Sequence, residues 1–167
     1  MVEEFIYNKN NFNIQLTIWI NWDVKLLGFS SQYTTNLWEY DGNLIEKNPK
    51  LDPKALIICI DACKKAYRLW FHWVCWLDLL EDENNNFFLI DPNFRINWST
   101  STLMLKEKIY KETDSEVLKF WNFKSNHSDI KTMLKEHSQL WKNSFYILSS
   151  YKNKVSWVLS WYGIVHW

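Results

Sequence analysis

Residues 51 to 80 read LDPKALIICIDACKKAYRLWFHWVCWLDLL and contain the most apolar run of the chain, Ala55 to Leu80, and the fold turns on whether this is one helix. Asp52 followed by Pro53 is a helix start. The carboxylate oxygen can accept an amide proton that the first turn leaves unpaired, and proline fits the first helical position without losing a bond. At helical periodicity Leu56, Cys59, Cys63, Ala66, Trp70, Trp73, Val74 and Leu77 share one broad face. Asp61, Lys64, Lys65, Arg68 and His72 form a narrow stripe opposite them. The pattern predicts a long, central, mostly buried helix to about Leu80, with Trp70 in the core and Lys64 and Lys65 in solvent. On that placement Trp70→Ala costs about 3 to 5 kcal/mol, as large core truncations do. Asp61, Lys64, Lys65 and Arg68 interrupt the run, which argues against a membrane span.

Outward from this run the periodicity changes. From Glu4 to Trp22 apolar and polar residues alternate, with Phe12, Ile14, Leu16, Ile18 and Ile20 on one face of an expected strand. In NLWEYDGNLIE, Asn36 to Glu46, the pair Asp41-Gly42 supplies the positive φ angles of a two-residue hairpin turn. Beyond the polar run Glu81 to Asn86, a second hairpin is expected around Asp91-Pro92-Asn93, joining Phe87–Ile90 to Phe94–Trp98. Ser99 to Glu112 fits a strand or a helix. Thr113 to Glu116 fits a capping box, which predicts a short helix carrying Val117, Leu118 and Trp121 inward. A further helix is expected from about Ser128 to Lys142, with His137 on its apolar stripe. Phe145 to Trp161 alternates in two stretches about Lys152-Asn153-Lys154, which favours a hairpin over a helix. The expected class is α+β: a single domain over 1–167 with antiparallel hairpins packed on the long central helix, plus two or three shorter helices.

Composition narrows the function classes. The chain has 167 residues, 47% of them hydrophobic, which is enough for a core held by packing alone. Nineteen basic residues balance nineteen acidic ones, so the long-range field that gathers nucleic acid is missing and no nucleic-acid partner is expected. Three cysteines and no leader-like N-terminus point to free thiols in a cytoplasmic protein. Lysine heavily outnumbers arginine and Asn, Ile, Phe and Tyr abound, the residue usage of an AT-rich genome or mobile element. Twelve tryptophans run against that bias, so the indoles are kept for what they bury or bind.

Catalytic motifs are scarce. With three glycines in the whole chain there is no Gly-rich phosphate loop, and neither a Gly-x-Ser-x-Gly elbow nor a His-Glu-x-x-His pair occurs. Cys59 and Cys63 are one helical turn apart, but no second pair stands at ligand spacing, so core packing is expected and no metal or cofactor. His72 and Cys75 lie three apart, although a helix interior activates a thiol poorly. No catalytic residue is assigned.

The leading expectation is a non-enzymatic protein-binding factor, an inhibitor or immunity-type protein. It would dock through an aromatic C-terminal patch of Trp157, Trp161, Tyr162, His166 and Trp167, residue types that dominate interface energies. The alternative is a small-molecule-binding domain or enzyme with an aromatic-lined pocket that uses Asp61, Arg68, His72 and Trp76. The two differ in whether the indoles sit on an exposed patch or line a cavity.

Overall fold

The computed structural model describes residues 6–34, 40–127, 129–141, 145–154 and 158–167, leaving aside the side chains of 137–141. His137, on its side chain, and Trp157 therefore lie outside the described residues. Among the described residues eight strands and three helices follow one another as β1 (Asn8–Ile18), β2 (Val24–Thr34), β3 (Tyr40–Glu46), α1 (Pro53–Arg68), β4 (Val74–Asp82), β5 (Phe87–Asn93), α2 (Thr100–Glu112), β6 (Val117–Ser125), α3 (Ile130–Trp141), β7 (Phe145–Lys152) and β8 (Leu159–His166). The strands form one sheet in the order β5-β4-β1-β2-β3-β6-β8-β7, and every neighbouring pair is antiparallel.

This corrects the expected architecture. The organising element is a continuous eight-stranded sheet, with three helices of ordinary length laid on its faces. The helix predicted from Asp52 starts as expected, with the Asp52 carboxylate accepting the Lys54 amide at 2.7 Å and proline in its first turn. It stops at Arg68. The Trp70 amide donates to the Tyr67 carbonyl at 2.8 Å and the Phe71 amide to the Ala66 carbonyl at 3.1 Å, with Trp70 at φ 68°. These are the bonds of a Schellman cap, whose left-handed position glycine usually takes. Trp70 is 91% exposed, so it is not a core residue and its truncation empties no core volume.

The rest of the apolar run is β4. Cys75, Leu77 and Leu79 alternate into the core and pair with β1 as Leu77↔Ile14 and Cys75↔Leu16. Paired residues share a face, so Ile14, Leu16, Ile18, Phe29, Cys75, Leu77 and Leu79 form one apolar surface. Ala55, Cys59, Cys63 and Ala66 of α1 close over it. The same face continues across the sheet to Phe123, Phe145, Trp161 and Val165, where Met133 of α3 packs. On the opposite face α2 covers the right half, where Leu103, Ile109 and Tyr110 meet Ile45, Leu118, Phe120 and Ile164.

Three local readings change with the sheet. Asp41-Gly42 is inside β3 and makes no turn. The Gly42 φ is 107°, and a Cβ there would sit 2.5 Å from the Phe120 carbonyl oxygen, so the glycine permits close approach of β6. Asp91-Pro92-Asn93 ends β5 and is not a hairpin tip; as β5 is an edge strand, the missing proline amide costs the ladder little. The hairpin is β4–β5, and its turn is held by the Asp82 carboxylate, which accepts the amides of Asn84 and Asn86 at 2.9 and 2.8 Å. Val117 and Leu118 open β6 where a helix was predicted. Ser99 to Glu112 is resolved as helical, and the C-terminal segment as the β7–β8 hairpin.

Among the described residues no helix is long and apolar enough to cross a membrane.

Candidate functional site

The polar half of each strand's alternation, which would ordinarily face water, is buried along the middle of the α2-covered face. Asn13 and Gln15 of β1, Ser30 of β2, Asn43 of β3 and Asp78 of β4 are all buried there. Buried amides and hydroxyls must find partners, and these find one another. Asn13 Nδ2 and Gln32 Nε2 both donate to Asp78 Oδ1 at 2.8 Å. Gln15 Nε2 reaches Asn97 Oδ1 and Ser99 Oγ, each at 2.8 Å, and Thr100 Oγ1 donates to Gln15 Oε1 at 2.6 Å. Asn97 Oδ1 also accepts the Thr100 amide at 3.0 Å. The network thereby pins the N-terminal end of α2, the positive end of its dipole, against the sheet.

Beside this network opens a cleft of about 560 Å³. Its floor is Asn13, Gln32, Asn43, Asp78 and Asn122, and its walls include Tyr40, Trp76, Trp98, Phe120, Trp121 and Tyr162. Trp98 stacks on Tyr162 with ring centroids 4.8 Å apart and planes 6° from parallel. The Arg95 guanidinium lies over the Trp76 ring, 5.5 Å from its centroid, and brings a cation to the rim.

Asp78 is the electrostatic centre. Burial pushes its carboxyl up from the usual range to about 6; the neighbouring charge of Asp91 adds to this, while the bonds from Asn13 and Gln32 oppose it. Asp91 is its cross-strand partner on β5. Both amide donors address Oδ1, so Oδ2 has no protein donor among the described residues. Tyr40 is pushed up to about 12 by burial and then by the Asp78 charge, and it stays a neutral donor to Asn43 Oδ1. Trp76 Nε1, Asn93 Nδ2 and Asn122 Oδ1 are buried without a partner among the described residues. Trp76 and Asn122 line the cleft, and Asn93 pairs with Trp76 on the same face.

A folded-state pKa above the unfolded value means that the ionised form opposes folding. That penalty is absent below the unfolded pKa near 4 and grows until pH exceeds the folded value near 6. In the ligand-free protein, stability therefore falls as pH rises from about 4 to about 6. Asp78→Asn keeps the acceptor oxygen and should flatten this dependence and raise the melting temperature at neutral pH, as thermal melts across that window would show.

The residues singled out in the sequence are dispersed. Of Asp61, Arg68, His72 and Trp76, only Trp76 lines the cleft; Asp61 and Arg68 are exposed on α1, across the sheet, and His72 is exposed in the turn after it. In the C-terminal set, Trp161 is buried against Phe123 with ring centroids 4.2 Å apart, and Tyr162 walls the cleft. His166 is buried with Nδ1 2.6 Å from Ser115 Oγ, and Trp167 is exposed. Cys59 and Cys63 of α1 and Cys75 of β4 are buried together where the helix meets the sheet. Burial pushes the Cys59 thiol up to about 12, and Cys63, buried and 3.5 Å from Cys75 Sγ, is likewise held protonated. Sequence reading missed Asp78, Asp91, Asn93, Arg95, Asn97 and Ser99. The signal was present: from Asp91 to Ser99 every second residue is polar, in a stretch read as a hairpin turn and its second strand.

No family model matches the chain. Solved structures of similar fold include N5-carboxyaminoimidazole synthetase from Staphylococcus aureus complexed with ADP, at 13% identity and TM-score 0.61 over 99% of this chain and 48% of that one. Biotin carboxylase from Campylobacter jejuni, in complex with β,γ-ATP, matches at 12% identity and TM-score 0.61 over 99% and 43%. The phosphoribosylaminoimidazole carboxylase ATPase subunit from Aquifex aeolicus matches at 11% and 0.61 over 99% and 53%. At these identities the likeness is one of fold alone, and the chain spans about half the length of the proteins it matches. The likeness of fold to these proteins, with a C-terminal segment built into the sheet, overturns the expected inhibitor or immunity-type protein binder.

Proposed function

We propose that the cleft binds a nucleoside polyphosphate together with a divalent cation. The observation that carries this reading is the pair Asp78 and Asp91, cross-strand partners on adjacent strands. One carboxylate is desolvated and repelled by the other, and a bound cation would offset both costs. Magnesium is commonly held by one or two carboxylates plus substrate phosphates and water, which is the donor set this face offers. Asp78 Oδ2 and Asp91 would hold the ion, and Arg95 with the N-terminal end of α2 would face the phosphates. The stacked Trp98 and Tyr162 and the unpartnered Trp76 Nε1 and Asn122 Oδ1 suit a flat, polar-edged base. The bound nucleotides in two of the similar structures support the reading without locating a site here. Trp76 is the member of the sequence-derived ligand set that this site uses, and a cytoplasmic setting would supply the ligand.

Calorimetric titration of the chain with ADP, in magnesium and in chelator, tests the reading. Losing one ion-binding carboxylate should cost about 1.5 to 3 kcal/mol, roughly ten- to a hundredfold in affinity. Asp91→Asn should show that loss with MgADP while leaving the weaker metal-free binding unchanged. Absence of MgADP and MgATP binding by the wild-type chain, or equal affinities in the variant, would overturn the proposal.

A further inference from the structure

At the end of the sheet where α1 finishes, two neighbouring loops carry a group of large apolar side chains into solvent. The β1–β2 turn presents Trp19, Ile20 and Trp22, and the α1–β4 turn presents Leu69, Trp70 and Trp73; all six are exposed, Leu69 at 81%. The loops are tied together. Tyr67 donates its hydroxyl proton to the Ile20 carbonyl at 2.5 Å, the Trp22 ring lies 4.2 Å from the Tyr67 ring, and the Ile18 amide donates to the Trp73 carbonyl at 2.8 Å. Single exposed apolar residues need no explanation, whereas a contiguous group marks a contact surface.

Two further features indicate what the surface meets. Trp22 and Trp70 both stand at positive φ, 70° and 68°, where glycine or asparagine would be less strained, so the indoles are held there for what they touch. Around them the charge is unbalanced: Lys25, Lys64, Lys65 and Arg68 stand against Asp23 and Asp61. Lys25 and Lys64 pair with those two carboxylates, at 3.2 and 3.8 Å, which among the described residues leaves the charge of Lys65 and Arg68, in the last turn of α1, in excess.

We infer that these two loops form a docking surface for an anionic lipid bilayer, with the indoles at headgroup depth and the α1 cations on the lipid phosphates. Tryptophan concentrates at membrane interfaces because its ring is apolar and its N–H is polar, and lysine and arginine beside it complete an interfacial anchor. Lysine, by contrast, is depleted from protein–protein interfaces. Side chains that project from loop tips suit a deformable phase better than a preformed groove. Nothing here requires a spanning segment.

Sedimentation with vesicles of equal parts phosphatidylcholine and phosphatidylserine, and with phosphatidylcholine alone, tests the inference on the full chain. The wild type should bind the mixed vesicles and bind the neutral ones more weakly. The triple variant Leu69→Ser, Trp70→Ser, Trp73→Ser should lose at least about tenfold of the mixed-vesicle partition. Because the altered side chains are exposed, its melting temperature should hold. The pair Lys65→Glu and Arg68→Glu should bring binding to mixed vesicles down to the neutral-vesicle level. The inference is overturned if the wild type stays in the supernatant, or if the triple variant sediments as the wild type does. It is also overturned if the wild type is a dimer that the triple variant splits while neither binds vesicles, since the loops would then join two copies of the chain.

Discussion

Removal of Gly163 to Trp167 should leave a chain with no cooperative unfolding transition. These residues supply the last half of β8, which is paired on both sides, Phe120↔Ile164 with β6 and Tyr146↔Ile164 with β7. The cut deletes the fully buried Ile164, a loss that by itself costs about 2 to 5 kcal/mol. It also strips ladder bonds from two strands, each worth about 1 kcal/mol net, and frees the Ser115 hydroxyl from His166. Against a total stability of about 5 to 15 kcal/mol little remains. Near-ultraviolet circular dichroism with a thermal melt checks this. Trp167→Ala is the control: the side chain is exposed, while the backbone carbonyl that accepts the Glu116 amide at 3.0 Å is kept, so it should melt as the wild type does. A truncated chain that melts cooperatively near the wild-type temperature would return these residues to the surface role first expected of them.

Gly42→Asn should destabilise the protein by about 2 to 6 kcal/mol, combining roughly 1 to 3 from the left-handed backbone with a similar overpacking cost. The substitution separates two readings of Asp41-Gly42. In a two-residue hairpin turn asparagine is a preferred residue at positive φ. In β3 its Cβ would come within 2.5 Å of the Phe120 carbonyl and 3.3 Å of the Lys119 and Trp121 side chains. Of these the backbone carbonyl cannot yield without breaking the β3–β6 pairing that joins the two halves of the sheet. Denaturant unfolding of the variant measures the difference, and an unchanged midpoint would show that β6 does not approach this closely.

Both predictions turn on contacts between residues far apart in the chain, and so do the errors of the sequence reading. The residues of α1 and β4 form a continuous apolar run, and helical periodicity places Trp70, Trp73 and Val74 on the same face as Cys59 and Cys63. The interruption is a Schellman cap with tryptophan where glycine is usual, so neither glycine nor proline marks it. The site was hidden for a related reason. Asn13, Gln15 and Asp78 sit on the polar side of alternating strands, the side that an isolated strand gives to water, and they become an interior only through partners distant in the chain: Asn97, Ser99 and Thr100, at the start of α2, for Gln15, and Asn13 with Gln32 for Asp78.

What the sequence determined by itself is what depends on near neighbours along the chain. The Asp52-Pro53 helix start needs only an acceptor two residues before an amide, and the β1 alternation and the β7–β8 hairpin follow from period-two patterning about a polar turn. Tertiary structure alone decided the order of the strands, the termination of α1, the burial of β8 and the meeting of Asp78 with Asp91. Each is set by burial and hydrogen bonding between segments tens of residues apart, whose energies exceed the few tenths of a kcal/mol by which most local preferences differ. A carboxylate in a period-two pattern is the same residue whether water or another strand faces it, and only the packed sheet distinguishes the two.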